Sequence, residues 1–190
     1  VLVDDAHALG VLGPRGEGTG HHFNIADQVD LLTGTFSKSF ASVGGFIAGS
    51  EDVVHYVKHM ARPFIFSAAM PPGSVGAVLA CLDLVESEPE HIENLRKNAA
   101  RMSREITALG YNTLGSQTPI VPLLVGDDDL AFTFTRALYE EGVFATPVVN
   151  PAVPSGCALI RTSYMATHTD DELNQVLEVL EKLGLSLIHI

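Results

Sequence analysis

Short apolar runs alternate along this chain with longer segments in which apolar residues recur with the period of a helix. The short runs are typical of buried strands, and the periodic segments are typical of amphipathic helices. We expect strands at 1–4, 31–35, 45–48, 64–66, 120–125, 143–146 and 158–162, and helices at 51–60, 73–86, 90–109, 130–141 and 170–183. Strands that alternate with helices in this way indicate an α/β fold.

The chain divides into two regions that differ in their pattern of predicted strands and helices, and these regions meet near Gly110. Residues 1–109 are predicted to be the end of a large domain with a connecting helix, and residues 110–190 a small C-terminal α/β domain. Residues 10–24 contain five glycines and one proline without periodicity, so a loop is predicted there. The chain begins inside an apolar run, so we expect an upstream part to be missing. The apolar tail at 185–190 is expected to be foreign to the natural protein.

Composition and charge restrict what the chain can bind. Of its 190 residues 46% are hydrophobic, enough to bury a core, and the formal net charge is -12 at pH 7. A field of that sign repels nucleic acid and anionic membranes, so neither is an expected partner. Cys81 and Cys157 lack the spacing of a zinc site, and His21 and His22 lack further ligands, so no metal is expected. No apolar run is long enough to span a bilayer, and the cytoplasm is the expected location.

Acidic residues follow the first predicted strand, where Asp4-Asp5-Ala6-His7 ends the apolar run. In parallel sheets, ligands bind at this carboxyl edge. A carboxylate that emerges from an apolar strand is costly unless a cation pairs with it, and a protonated pyridinium nitrogen is such a cation. His7, three residues after Asp4, could hydrogen-bond the phenolic oxygen of the same ring or face the external aldimine. Taken alone, the motif fits equally well an aspartate that caps a turn.

A lysine stands among hydroxyl side chains directly after the second predicted strand. Lysine is among the least buried residue types, so Lys38 at the end of an apolar strand is unusual. We expect it to be desolvated and therefore to be a competent amine for imine formation. The hydroxyls of Thr35, Ser37 and Ser39 supply donors for a phosphate. Because Asp4 and Lys38 follow consecutive strands, both are expected at the same edge of one sheet. The alternative is an ordinary exposed loop lysine.

Four stretches of the sequence resemble the α-oxoamine synthases, namely Asp4–Gly13, Gly34–Ser39, Val43–Ala48 and Arg62–Pro72. They occur in the order and with the spacing of that family along nearly the whole chain. The resemblance implies the aspartate aminotransferase-like fold of the fold-type I pyridoxal phosphate enzymes. It also implies that pyridoxal 5'-phosphate is the cofactor with which an amino acid is joined to an acyl-CoA, in most members with loss of the amino acid's carboxylate.

The resemblance assigns roles to the residues of the expected cofactor site. Asp4 matches the aspartate that pairs with the pyridine nitrogen, and His7 matches the histidine beside the ring oxygen. Lys38 matches the lysine that carries the cofactor as a Schiff base and then acts as the general base at the substrate's Cα. Thr35 and Ser37 match positions near the cofactor phosphate.

Two further residues match positions outside that group. Ser67 resembles a residue that reaches the phosphate of the other subunit's cofactor, which implies a homodimer with a shared active site. Arg161 resembles the arginine that clamps the substrate carboxylate, a task to which its planar, bidentate fork is suited. An ordinary surface salt bridge is the alternative for Arg161.

Within the family, the chain most resembles the serine palmitoyltransferases, and the stretch at 163–169 is similar to their bacterial forms. This implies L-serine and a long-chain acyl-CoA as substrates and 3-ketosphinganine, a sphingolipid precursor, as product. The alternatives 8-amino-7-oxononanoate synthase and 2-amino-3-ketobutyrate CoA ligase more often have glycine where this chain has Ser37. The retained Lys38, Asp4 and His7 argue against a non-catalytic partner subunit, and the combined motifs argue against an aminotransferase. Because the family's upstream half is absent, we expect the isolated chain to be inactive.

Overall fold

The computed structural model describes residues 1–184, which form two compact units, Val1–Ile92 and a second that begins at Glu93. The predicted foreign tail at 185–190 lies outside the described residues. The predicted α/β character is confirmed, because each unit contains a three-stranded sheet together with helices. The predicted domain boundary at residues 109 and 110 falls at the end of a helix that begins at Glu90, and it stays a prediction.

The sheet of the first unit consists of β1 (Leu2–Asp4), β2 (Leu31–Thr35) and β3 (Gly45–Gly49), in that order. β1 runs parallel to β2 with Asp4 opposite Thr33, and β2 runs antiparallel to β3. Because the two parallel strands end at the same edge, the segments that follow them leave the sheet side by side.

Four helices and one 3₁₀ turn complete the first unit. They are α1 (Thr19–His22), the 3₁₀ turn Ala26–Gln28, α2 (Glu51–Met60), α3 (Arg62–Ile65) and α4 (Pro72–Ser87). The first turn of α2 carries acidic residues and its last turn basic ones, an order that complements the helix dipole.

Two predictions for the first unit were wrong. The expected strand at 64–66 is instead the helical turn of α3. There Pro63 stands in the first turn, where its fixed φ favours a helix, and it has no N–H to donate to a sheet. The expected loop at 10–24 is interrupted by α1 at Thr19–His22.

The surface of α4 is unusual for a helix of its composition. None of its sixteen residues is buried, and Leu79 is 57% exposed although leucine, valine and alanine occur on every side. A helix that is apolar all round is normally enclosed by other protein. Within residues 1–184, no helix is long and apolar enough to cross a membrane.

The second unit places helices of 13 to 19 residues around an antiparallel sheet. Its elements are α5 (Glu90–Ala108), β4 (Ile120–Gly126), α6 (Asp128–Glu140), β5 (Thr146–Val148), β6 (Ala158–Ser163) and α7 (Asp170–Leu183), and the strand order is β4-β6-β5. Helix starts are well specified: the Asp127 carboxylate accepts from the N–H of Leu130, and Thr169 forms a capping box with Glu172.

The strand expected at 143–146 begins only at Thr146. Val143 is buried, but its N–H donates to the carbonyl of Leu138 at 2.8 Å, and the N–H of Gly142 donates to Tyr139 at 3.0 Å. These two bonds form the C-terminal cap of α6, so the apolar side chain of Val143 serves the core while its backbone closes a helix.

The core of the second unit is a single cluster of buried side chains. Helices α5, α6 and α7 contribute to it, as do strands β4 and β6 and the residues just before β5. Its largest fully buried members are Phe134, Met102, Ile106, Leu123, Leu138, Ile160, Leu173 and Leu180. The amphipathic faces predicted for these helices therefore meet over the sheet.

Candidate active site

The expected meeting of two polar segments at one sheet edge is confirmed. β1 and β2 are parallel neighbours, and the N–H of Asp5 donates to the carbonyl of Thr33 at 2.8 Å, which extends the ladder by one residue. The segment that contains Asp4 and His7 and the segment that contains Lys38 therefore leave the same edge of the sheet.

Asp4 starts a tight turn. One oxygen of its carboxylate, Oδ1, accepts a hydrogen bond from the N–H of Ala6 at 2.9 Å, the geometry of an Asx turn. The carbonyl of Asp5 then accepts from the N–H groups of Ala8 and Leu9 at 3.0 and 3.2 Å, so a helical turn follows. The side chains of Asp4 and His7 are exposed on this turn.

Lys38 lies in a short loop that is closed by backbone hydrogen bonds. The N–H of Phe36 donates to the carbonyl of Gly44 at 3.0 Å, and the N–H of Ser42 donates to the carbonyl of Phe36 at 2.8 Å. Ala41 has a φ of 47°, a left-handed conformation that a non-glycine residue rarely adopts. The expectation that Lys38 is desolvated is wrong for the described residues, because its side chain is exposed.

The two hydroxyls expected near a phosphate lie together at the end of β2. Thr35 Oγ1 and Ser37 Oγ are 2.9 Å apart, and Thr35 Oγ1 donates to the carbonyl of Gly44 at 3.2 Å. The N–H of Ser37 donates to Thr35 Oγ1 at 3.3 Å. Of the two residues, Ser37 is exposed to solvent and Thr35 is half-buried.

Ser39 has a different role from the one expected. Its hydroxyl donates to the carbonyl of Leu9 at 2.6 Å, so it is engaged by protein rather than held open for a phosphate. The bond joins the loop of Lys38 to the turn of His7 across 30 residues of sequence. Gly10 makes this approach possible, because a Cβ there would lie 3.0 Å from the Cβ of Ser39.

Ser67 and Arg161 lie in different units. Ser67 is exposed between α3 and α4 in the first unit, and its hydroxyl donates to the carbonyl of Pro63. Arg161 is exposed on β6 in the second unit, opposite Pro122 on β4 and Thr146 on β5. The roles expected for both residues stay predictions.

The glycine-rich loop after β1 contains a strongly perturbed carboxylate. The N–H of Arg15 donates to Glu17 Oε2 at 2.7 Å, and the guanidinium donates to Oε1 at 2.9 Å. These bonds, the backbone one foremost, lower the pKa of Glu17 to about 2.

Sequence reasoning missed an apolar cavity of about 590 Å³ in the first unit. Side chains of β3, α2 and α3 line it, including Phe46, Ile47, Val54, Val57 and Phe64. A cavity of this size and lining is typical of a site for an apolar group. In residues 1–184, no group of three or more His, Cys, Asp and Glu side chains is placed to hold a metal ion.

The chain was compared with known families and proteins. Residues 1–180 match the family model described as aminotransferase class I and II. The chain is 54% identical over 179 residues to a serine palmitoyltransferase of Bacteriovorax stolpii, covering 94% of this chain and 43% of that protein. It is 48% identical over 185 residues to the 8-amino-7-oxononanoate synthase/2-amino-3-ketobutyrate coenzyme A ligase of Thermus thermophilus, covering 97% and 47%. The predicted resemblance to α-oxoamine synthases is thereby confirmed.

A solved structure extends the similarity to three dimensions. A variant of serine palmitoyltransferase from S. paucimobilis, with a bound pyridoxal phosphate–myriocin aldimine, superposes with a TM-score of 0.94 at 31% identity. The match covers all of this chain and 48% of that chain, which confirms the predicted fold. The chain thus spans about half the length of the proteins it matches.

Proposed function

The chain belongs to the aminotransferase class I and II family, and we propose that it supplies the lysine-bearing half of a pyridoxal phosphate-dependent acyltransferase. The observation that carries this proposal is the parallel pairing of β1 with β2, which brings Asp4 and the loop of Lys38 to one sheet edge. The proposed reaction is the decarboxylating condensation of an amino acid with a long-chain acyl-CoA.

The residues at this edge fit the proposed cofactor chemically. The Asp4 carboxylate uses only Oδ1 for the turn, and it can pair with a pyridinium nitrogen. The amine of Lys38 is exposed and can bond to an aldehyde. The hydroxyls of Thr35 and Ser37, 2.9 Å apart, are suited to hold a phosphate. Carboxylate, amine and hydroxyls are the groups that pyridoxal phosphate requires.

Each residue then has a defined role, and Lys38 has two. Pyridoxal phosphate, when bound, supplies an aldehyde and a ring that accepts electrons from the substrate's Cα. Asp4 would pair with the ring nitrogen and keep it protonated, and His7 would hydrogen-bond the ring's phenolic oxygen. Nζ of Lys38 would bind the cofactor's aldehyde carbon and, as a free amine, would be the base that takes the proton from the substrate's Cα. Arg161 binds the substrate carboxylate through its guanidinium.

We propose L-serine as the amino acid and 3-ketosphinganine as the product, which places the enzyme in sphingolipid biosynthesis. The higher identity to a serine palmitoyltransferase, 54% against 48% for the bifunctional synthase and ligase, supports this choice. Ser37 supports it as well, because the alternative enzymes more often have glycine there. The second candidate is 8-amino-7-oxononanoate synthase or 2-amino-3-ketobutyrate CoA ligase, with alanine or glycine as the amino acid.

We also propose a cytoplasmic homodimer in which Ser67 reaches the cofactor phosphate of the other subunit. Its surroundings support an interface, because Phe64, Ile65 and Phe66 are 60%, 49% and 84% exposed. Together with the exposed faces of α4, this surface needs other protein to cover it. Because the 190-residue chain spans about half the length of the proteins it matches, it is expected by itself to form little or no active enzyme.

The assay that tests the reaction crosses serine, alanine and glycine with acyl-CoAs of several chain lengths and follows the release of free CoA by the full-length protein. Serine with a long-chain acyl-CoA is expected to be the best pair. Lys38→Ala is expected to abolish release, and Lys97→Ala, which removes an exposed lysine from α5, is the matched control. Absence of CoA release with every pair would contradict the proposal and favour an aminotransferase or a non-catalytic partner subunit.

A further inference from the structure

We propose that Asp5 is a positioning residue, whose buried carboxylate holds the glycine-rich loop (residues 10–18) against the end of β1. Asp5 stands directly between Asp4 and the turn that carries His7. By fixing the loop, it fixes the backbone from which both side chains project. The consequence for catalysis rests on the proposed function, whereas the anchoring of the loop does not.

Asp5 differs from Asp4 and His7 in the exposure of its side chain. It is 1% exposed, while Asp4 and His7 are exposed. Its Oδ2 accepts a hydrogen bond from the N–H of Thr19 at 3.0 Å. Thr19 begins α1 immediately after the loop, so this bond attaches the far end of the loop to the strand across 14 residues. Bonds of this kind, in which an N–H donates to a carboxylate, are among the stronger ones in proteins.

Gly18 shows that the chain is built around this carboxylate. A Cβ at Gly18 would lie 2.1 Å from Asp5 Oδ2, far inside contact distance, and its φ of 107° also disfavours any side chain. The glycine therefore admits Asp5 to the loop. The loop is closed further by two backbone bonds, from the N–H of Gly10 to Gly16 at 2.8 Å and from the N–H of Gly18 to Leu12 at 2.9 Å.

The backbone of Asp5 is held as firmly as its side chain. Its N–H donates to Thr33 on β2, and its carbonyl accepts from the N–H groups of Ala8 and Leu9. Asp5 is thus the last rung of the ladder between β1 and β2, the first residue of the turn that carries His7, and the anchor of the loop. A change in the loop is transmitted through this residue to both sides of the proposed cofactor site.

The cost of burying this carboxylate also argues for a role. Oδ1 of Asp5 is buried and has no hydrogen-bond partner among residues 1–184. A buried carboxylate with an unpaired oxygen is unfavourable for folding, so burial alone does not account for an acidic residue here. What an acidic residue contributes here is the hydrogen bond that Oδ2 accepts from the N–H of Thr19, directly after the loop.

The test measures tryptic cleavage after Arg15, whose side chain is 82% exposed at the tip of the loop, in the full-length protein. Cleavage after Lys58 on α2 reports global opening of the same unit. Asp5→Ala is expected to accelerate cleavage after Arg15 by about tenfold, the factor that about 1.4 kcal/mol of lost anchoring gives, without a change at Lys58. Asp5→Asn keeps an acceptor for Thr19 and is expected to restore slow cleavage. Asp27→Ala, which removes an exposed carboxylate nearby, is the matched control.

Two further arms connect the loop to the site. Gly18→Ala puts a Cβ against Asp5 Oδ2 and also strains the backbone of the loop, so it is expected to be cleaved after Arg15 at least as fast as Asp5→Ala. Titration with pyridoxal phosphate, followed by absorbance, is expected to show about tenfold weaker binding for Asp5→Ala and near-normal binding for Asp5→Asn.

The proposal is overturned if Asp5→Ala leaves cleavage after Arg15 unchanged, or raises it equally at Arg15 and Lys58. It is also overturned if Asp5→Asn is cleaved as fast as Asp5→Ala. Failure of the unaltered protein to bind pyridoxal phosphate would contradict the proposed function instead, and the cleavage arms would still decide the role of Asp5.

Discussion

Replacement of Ser39 by alanine removes the hydrogen bond that joins the two halves of the candidate site. The hydroxyl of Ser39 donates to the carbonyl of Leu9 at 2.6 Å, and this bond spans the loop of Lys38 and the turn of His7. The substitution deletes one oxygen atom and introduces no new contact. Its effect therefore reports on the connection between the two segments.

The magnitude follows from the surroundings of the bond. A neutral hydroxyl-to-carbonyl bond contributes about 0.5–1.5 kcal/mol to stability. Ser39 is exposed, so water can replace the donor at Leu9, and we expect a value near the lower end, about 0.5 kcal/mol. The effect on turnover is expected to be larger, about tenfold, because a displacement of about 1 Å between reacting groups can cost up to about a hundredfold.

The assay compares urea unfolding and CoA release for Ser39→Ala and for Ser87→Ala in the full-length protein. Ser87 is the matched control, since its hydroxyl donates to the carbonyl of Asp83 at 2.8 Å on the exposed helix α4. Ser39→Thr keeps the hydroxyl and is expected to retain most of the activity. The reasoning is refuted if Ser39→Ala and Ser87→Ala lose the same small amount of stability and neither loses activity.

Three further outcomes are expected. Phe134 is 0% exposed in the core of the second unit, and Phe134→Ala should lower the free energy of unfolding by about 3–5 kcal/mol in denaturant titrations. A loss below about 1 kcal/mol would contradict the described core. Thr169→Ala should cost about 1 kcal/mol by the same measurement, because it removes the capping box of α7, and Thr169→Ser should restore it. Glu17 has a folded pKa of about 2 against an ordinary 4.5, so the stability that its bonds to Arg15 contribute should be fully present above about pH 4.5 and be lost as the pH falls from there to about 2. A carboxyl carbon titration by NMR with a midpoint near 4.5 would contradict this.

The sequence predicted the elements of the second unit well because their signals are local. Helix α7 shows both an apolar period and its cap at Thr169 within a few residues, and the structure has it at the expected bounds. The strand expected near Val143 was displaced because an apolar side chain does not reveal whether its backbone belongs to a ladder or to a helix cap. In the same way, Phe64 and Phe66 suggested a strand while Pro63 favoured a helix.

At the candidate site, the common edge of Asp4 and Lys38 was predictable because parallel neighbours end on the same side. The roles of Asp5 and Ser39 were not, because their bonds cross 14 and 30 residues of sequence. The available signal was the glycines: Gly18 and Gly10 mark places where a side chain from elsewhere approaches the backbone closely. The exposure of Lys38 was not predicted, because the burial of its side chain depends on which other parts of the protein cover the loop.

The central claim, that Lys38 carries the cofactor, is tested most directly by reduction and peptide mapping. The full-length protein is mixed with pyridoxal phosphate, reduced with borohydride to make any lysine adduct permanent, digested, and analysed by mass spectrometry. The account predicts one stoichiometric adduct on Lys38, with none on the exposed Lys58. An adduct distributed over several lysines, or its stoichiometric presence on any lysine other than Lys38, would contradict it.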